Sequence, residues 1–361
     1  ETFEATDRLD RVVEGLAEND LLLRRAQDGK GLTRPELAVL LATAKLALQA
    51  EIEDCPLRDD PAALPDLLAA FPEAMRKPYR AEIAAHPLRP QIIATKLANR
   101  IINRLGLTHP FELADESGKT LGDVAEAFVI VEQVHDLHSL WANIETADIA
   151  EETRVMLFDQ LAIETRAQMA DVLRNAVAGR RNDQAIAAYA PLVKSLRAFP
   201  VSDEVTRQTK VFAVRLSGAG APKRIVDRIV RLAEMDGAIG LAALSIKSGT
   251  SIAGITAAFT TLGAALGLDW AQGSAMQLDP RDPWERLLAS GVARDFQAMR
   301  LEFLGRLGGD DPVSTVSAWL SDHAQAVGNF RAVIDRARAG MIPSPAMLAQ
   351  IAGQARTLLA R

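Results

Sequence analysis

The residues with the most chemical potential lie close together. Glu132, His135 and His138 form "EQVHDLH", and a Glu-x-x-His pair on one helical face can ligate iron. Such sites also draw carboxylates from other helices and usually carry a second copy of the motif. A downstream segment repeats the local pattern but sets Leu266 opposite His135 and Asp269 opposite His138. That pairing favours histidines at the edge of a core over metal ligands.

Just upstream, "DESGKTLGDVAEAF" (115–128) contains Gly118-Lys119-Thr120, the three residues that close a nucleotide-binding P-loop. A P-loop also needs a glycine five residues earlier, so that backbone amides can wrap the phosphates. Leu113 stands there, and the related "KSGTSIAGITAAF" (247–259) puts Thr250 in place of Lys119. The expectation is a turn followed by a helix cap, with Thr120 and Ser251 as capping hydroxyls. "SGAGAPKR" offers Gly218 and Gly220 but has Lys223 where a dinucleotide fingerprint needs its third glycine. "GGDDP" (308–312) reads as an interhelical turn, and His86, His109 and His323 are isolated. The single cysteine, Cys55, excludes an intramolecular disulfide and a cysteine-built metal site, and fits a reducing compartment. No catalytic, cofactor-binding or metal-ligating residue is assigned.

The elements that would hold these residues read as helices almost throughout. "GLTRPELAVLLATAKLALQAEI" opens with Thr33 and, three residues on, Glu36, a capping box. Leu37, Leu40, Leu41, Ala44 and Leu48 then recur at helical spacing. Pro56, Pro61, Pro65 and Pro72 break the following connection around a short helix. Pro87 is expected to open the next long helix and Gly106 to close it. On its 91–105 stretch Ala94, Leu97, Ala98, Ile101 and Leu105 form the apolar face, with Lys96, Asn99 and Asn103 roughly opposite. Further helices are expected at about 120–135, 151–178, 202–216, 222–234, 252–266, 283–307, 312–339 and 345–360, with Asp282-Pro283 and Asp311-Pro312 as cap-then-proline starts. No stretch alternates like a strand, so the fold class is all-α with no dinucleotide-binding sheet.

A repeat adds shape. Leu121, Val124, Phe128, Val131 and His135 align with Ile252, Ile255, Phe259, Leu262 and Leu266, each set forming one helical stripe. Leu137 and Leu268 follow, then Trp141 and Trp270. Two similar helical subdomains are expected. The organisation reads as 1–148, a helical subdomain; 149–215, connecting long helices; and 216–361, a second subdomain with the C-terminal helices.

Bulk properties narrow the function classes. Of 361 residues, 48% are hydrophobic and 24% charged, as in soluble globular proteins. Forty-one basic and 47 acidic residues leave a net charge of -6, which argues against nucleic acid as a partner. The basic run Arg207, Lys210, Arg215, Lys223, Arg224, Arg228 and Arg231 fits two amphipathic helices with solvated faces. The uncharged run 248–268 has the length of a membrane span, but its glycines and its charged counterpart at 117–137 favour a buried core helix. The N-terminal "ETFEATDRLDRVVEGL" is amphipathic rather than a signal peptide, and its Glu1 start reads as a piece of a longer chain.

Three motifs carry a family resemblance: "GLTRPELAVLLATAKLAL" (31–48), "HPLRPQIIATKLANRIINRLG" (86–106) and "DVAEAFVIVEQVHDLHSLWANIETAD" (123–148). They resemble, in order, the C-terminal region of the large bacterial NAD-dependent glutamate dehydrogenases, and "GLDWAQGSAMQLDPRDPWERLLASGVARDF" (267–296) is similar further on. The resemblance implies a cytoplasmic parent that oxidises L-glutamate to 2-oxoglutarate and ammonium with NAD and assembles as a homo-oligomer. It also implies that the catalytic lysine and dinucleotide fold precede this region, so no catalytic or cofactor residue is carried over. The expected role is a non-catalytic structural, assembly or regulatory module whose partners are the catalytic domain and other subunits. Arg34, Lys45, Lys96, Asn99, Arg100 and Asn103 are its candidate contact residues. The alternatives are a helical adaptor that binds a protein partner between its helix pairs, and an autonomous enzyme with a site built from distant residues.

Overall fold

A computed structural model describes residues 2–175, 180–199, 203–278, 283–309, 311–340 and 343–360. Among them there are only helices and their connections, with no strand, so the chain is all-α. It divides into two compact units, Glu1–Ile130 with Arg180–Gln184, and Val131–Gly179 with Ala185–Arg361.

The first unit is built on the pairing of Arg34–Asp54 with Arg89–Leu105. Ala44, Ala47, Leu48 and Ile52 of one meet the buried face of the other, where Ile93, Leu97 and Ile101 are fully covered. The capping box forms: Glu36 accepts from the Thr33 amide at 2.6 Å and the Thr33 hydroxyl at 2.7 Å. Those bonds, with Arg25 at 2.9 Å, hold its carboxyl down at about 2. The expected stripe on this helix is only half buried. Ala44 and Leu48 are covered, while Leu37 and Leu41 are 45% and 39% exposed. The buried face has rotated toward the small residues, which let the two helices approach closely.

The proline-rich connection forms two 3-10 turns, Pro56–Arg58 and Pro61–Ala63, and the short helix Leu64–Ala69. The next long helix starts at Arg89 rather than at Pro87, with Pro90 in its first turn, and Gly106 ends it at φ 90°. Gly118 closes His109–Ser117 in the left-handed region. Thr120 then accepts from the Asp123 amide at 3.1 Å, while Asp123 accepts from the Thr120 amide at 2.9 Å. The P-loop-like triplet is therefore a C-cap followed by an N-cap.

In the second unit Pro283–Leu307 packs against Leu268–Met276, Pro345–Leu359, Ile252–Leu266 and Ala238–Ser248. Glu151–Asn175 lies against Ala238–Ser248 and Lys223–Glu234, and Asp203–Gly218 against Lys223–Glu234 and Leu268–Met276. Met169, Ile229, Ile239, Leu262, Leu266 and Phe296 lie in the core. The stretch expected as one helix over 312–339 is two, Pro312–Asp322 and Ala324–Gly340, parted at His323. Asp311 caps the first by accepting from the amides of Val313 and Ser314, both at 3.2 Å. Asp282, the other expected cap, lies outside the described residues.

The repeat is visible as a local device. Leu121–Val134 and Ile252–Leu266 each run into a residue in the left-handed region, Asp136 (φ 54°) and Gly267 (φ 73°), and a new helix starts at Leu137 or Leu268. In the second copy the two helices are bent by 85°, so the uncharged run does not continue straight through residue 267. Among the described residues no single helix is long and apolar enough to cross a membrane.

Two helices have their first amides capped by a side chain from a distant element. Ala238–Ser248 follows Gly237, and its first amides are taken by Asp171: Ile239 at 3.0 Å and Gly240 at 3.1 Å. Asn182–Leu196 begins with its Asn182 and Asp183 amides on Asp60, at 2.9 and 3.2 Å. In both cases a buried carboxylate from a distant element supplies what a local Ser, Thr or Asp normally supplies.

Candidate functional site

Lys96 and Asn103 are exposed, and Asn99 is half-buried with its amide donating to the Thr95 carbonyl of its own helix at 2.8 Å. Arg100 is committed within the unit: its guanidinium pairs with both oxygens of buried Asp66 and lies 5.7 Å from the centre of the Phe128 ring. Arg34 is exposed and Lys45 half-buried on Arg34–Asp54. Their spacing with Leu37 and Leu41 is i, i+3, i+7 and i+11, so one face carries two exposed leucines between two cations.

His135 is 5% exposed, and burial, then the Arg197 charge, lowers it to about 4 despite its bond with Gln168. It is a neutral core residue. No group of three or more His, Cys, Asp or Glu suited to a metal ion occurs among the described residues.

What the sequence did not disclose is a cavity of about 560 Å³ within the second unit, well within the range of small-molecule sites, roughly 300–1,000 Å³. Its apolar wall includes Phe199, Phe212, Phe259 and Met276. Its polar groups form two matching relays. In one, Arg215 donates to the Gln160 carbonyl oxygen at 3.1 Å, and the Gln160 amide donates to Glu164 at 2.7 Å. In the other, Arg300 donates to the Gln272 carbonyl oxygen, and the Gln272 amide donates to Asp236 at 2.9 Å. A glutamine thus separates each carboxylate from the arginine behind it.

The remaining charges are already matched. Arg300, 2% exposed, pairs with Asp269 at 2.6 Å, donates to the Phe296 carbonyl at 3.1 Å, and stacks 4.0 Å from the Phe259 ring centre. Arg231 pairs with Glu234 at 2.9 Å and donates to the carbonyls of Leu196 and Arg197. Glu164 and Asp236 are left with one amide donor each. Burial is the main cause of their raised values, about 7 for Glu164 and about 6 for Asp236; the Asp236 charge adds to the first and that of Asp171 to the second.

Gln160 and Glu164 stand four apart on one helix, so their pairing was legible. Their convergence with Asp236, Gln272 and Arg300 was not, because these come from separate elements.

Fold and cavity together define an all-helical module with a small-molecule-sized pocket and, among its described residues, no sheet on which a dinucleotide fold could be built. The chain belongs to the family described as "Glutamate dehydrogenase, C-terminal", whose model it matches over residues 29–356. It is 26% identical to the NAD-specific glutamate dehydrogenase of Halomonas elongata over 349 residues, 94% of this chain and 22% of that protein. Similar values hold for the NAD-specific glutamate dehydrogenases of Pseudomonas aeruginosa, 26% identical over 96% of this chain, and Mycobacterium tuberculosis, 27% over 97%. The chain spans 22% of the length of each.

Proposed function

We propose that this chain is the non-catalytic C-terminal module of a large NAD-dependent glutamate dehydrogenase, in which it packs against the catalytic part and against neighbouring subunits of a cytoplasmic homo-oligomer. The family match over nearly the whole chain carries the reading, and the names of the relatives supply the activity of the parent. NAD belongs to the parent in this reading, because the all-α chain offers no dinucleotide-binding sheet among its described residues. The physical role is to limit how far the catalytic cleft can open and close, since such motions commonly gate turnover.

The face carrying Arg34, Leu37, Leu41 and Lys45 suits docking, because exposed leucines flanked by cations match an apolar patch with acidic edges. Lys96 and Asn103 are further exposed candidates, whereas Arg100 holds its own unit together. The test is NADH formation, followed by absorbance, with glutamate and NAD added to this chain and to the full-length parent. Activity in the parent and none in the chain fits the proposal, and turnover by the chain near the parent's rate overturns it. Charge reversal at Arg34 and Lys45 in the parent is expected to alter its assembly or its kcat without unfolding it.

A further inference from the structure

The cavity in the second unit has a chemical bias that the dehydrogenase reading does not use. Its guanidinium groups at Arg231 and Arg300 each make three hydrogen bonds and one carboxylate pair, Arg231 with Glu234 and Arg300 with Asp269, and Arg300 also stacks on the Phe259 ring. By contrast, Glu164 and Asp236 each accept one amide hydrogen, whereas an ionised carboxylate can accept about four. Both carboxylates therefore keep acceptor capacity that a further charged donor can fill, and Glu164, unlike Asp236 with Arg174 and Arg300 near it, has no arginine charge acting on it.

We propose that this cavity binds a small organic cation, an aliphatic amine whose ammonium group is received by Glu164 and Asp236 and whose hydrocarbon body lies against Phe212 and Phe259. A metal ion is a poorer match. Hard cations need six or more oxygen ligands, while two carboxylates held by glutamines leave most of such a shell to water. An anion is poorer still, since among the described lining residues Arg215, exposed and bonded to Gln160, is the one arginine without a carboxylate partner. The raised values, about 7 for Glu164 and about 6 for Asp236, agree with the geometry: burial disfavours the charged forms, and at pH 8, where both are largely ionised, a cation would relieve that cost. The apolar wall supplies area, and the ammonium, with three donors, can bridge both relays. Exposed Ile163 and Val211 among the lining residues would extend the contact to a longer hydrocarbon.

The site stands independently of what the parent chain catalyses, so its test needs no enzyme assay. Calorimetric titration of this chain at pH 8 with 1,5-diaminopentane, n-pentylamine, 1-pentanol and glutarate separates charge from shape. The expected result is saturable binding of one or both amines and none of the alcohol or the diacid. Glu164→Gln with Asp236→Asn should weaken amine binding at least about tenfold, the scale of one lost charged hydrogen bond, while the thermal unfolding transition persists. No binding of either amine at about 10 mM, equal binding of pentanol, or undiminished binding by the folded double variant would each overturn the proposal.

Discussion

Replacing Glu164 by glutamine isolates one physical cost, namely keeping an ionised carboxylate inside the second unit. Burial raises this group from 4.5 to about 7, which amounts to about 3 kcal/mol against its charged form. In the unfolded chain Glu164 ionises near 4.5, so between pH 4.5 and 7 the unfolded state gives up its proton first. Stability contributed by the protonated form is fully present below 4.5 and is lost as pH rises through 7. The variant Glu164→Gln has nothing to ionise, and its carbonyl oxygen still accepts the Gln160 amide. At pH 5 variant and wild type should therefore unfold at nearly the same denaturant concentration. At pH 8 the variant should be more stable by up to about 3 kcal/mol, less whatever the site regains by relaxing or admitting water. Comparing the two proteins at each pH cancels the other titrating groups. Asp236, raised to about 6, adds a loss of the same sign, while His135, lowered to about 4, is stabilising above 6.5 and loses that contribution as pH falls. Urea unfolding followed by circular dichroism at half-unit pH steps reads the difference. A gap that stays constant from pH 5 to 8, or a variant less stable at pH 8, would refute the reasoning.

Four further expectations concern packing and caps. Gly263→Ala ordinarily strengthens a helix by about 1 kcal/mol, but here the new Cβ would lie 2.6 Å from an Arg300 nitrogen and 2.6 Å from an Asp269 oxygen. Pushing that buried pair apart should instead cost about 3 kcal/mol, visible as a lowered Tm. Asp171→Ala strips the bonds from the Ile239 and Gly240 amides and should cost about 2–4 kcal/mol, with the loss of amide-exchange protection concentrated there. Thr33→Ala should cost about 1 kcal/mol through the capping box alone, measured by the same unfolding experiment. Asn99→Ala with Asn103→Ala should leave stability unchanged or slightly raised, since Asn99 bonds only within its helix and Asn103 is exposed. A loss of assembly in the full-length parent would then report an intersubunit contact, and a large fall in Tm would contradict this local reading.

The helices that sequence reasoning located best are those whose caps are local. Thr33, Thr120, Ser251, Asp311 and Pro345 each mark a start within a residue or two of where the structure places it. Two of the helices it passed over, Asn182–Leu196 and Ala238–Ser248, are capped by Asp60 and Asp171 from far away in the sequence. Periodicity on Arg34–Asp54 identified the element and part of its buried face. Of the expected stripe Leu37, Leu40, Leu41, Ala44 and Leu48, packing covers Ala44 and Leu48, adds Ala47, and leaves Leu37 and Leu41 exposed. The cavity was hidden for a related reason. Gln160, Asp236, Gln272 and Arg300 look like ordinary surface polar residues until three helices and the turn before Ala238–Ser248 bring them together.

The borrowed caps also set an order of events during folding. A helix with its own cap can flicker into existence within about a microsecond, before anything else is in place. Ala238–Ser248 lacks that route, because Gly237 offers no side chain and Asp171 lies 68 residues before Ile239. Closing a loop of that length costs only a little more than closing a short one, yet it must close before those amides find their acceptor. Glu151–Asn175 is therefore expected to act as a template on which Ala238–Ser248 matures. Protection of the Ile239 and Gly240 amides during refolding would serve as the clock for that docking step.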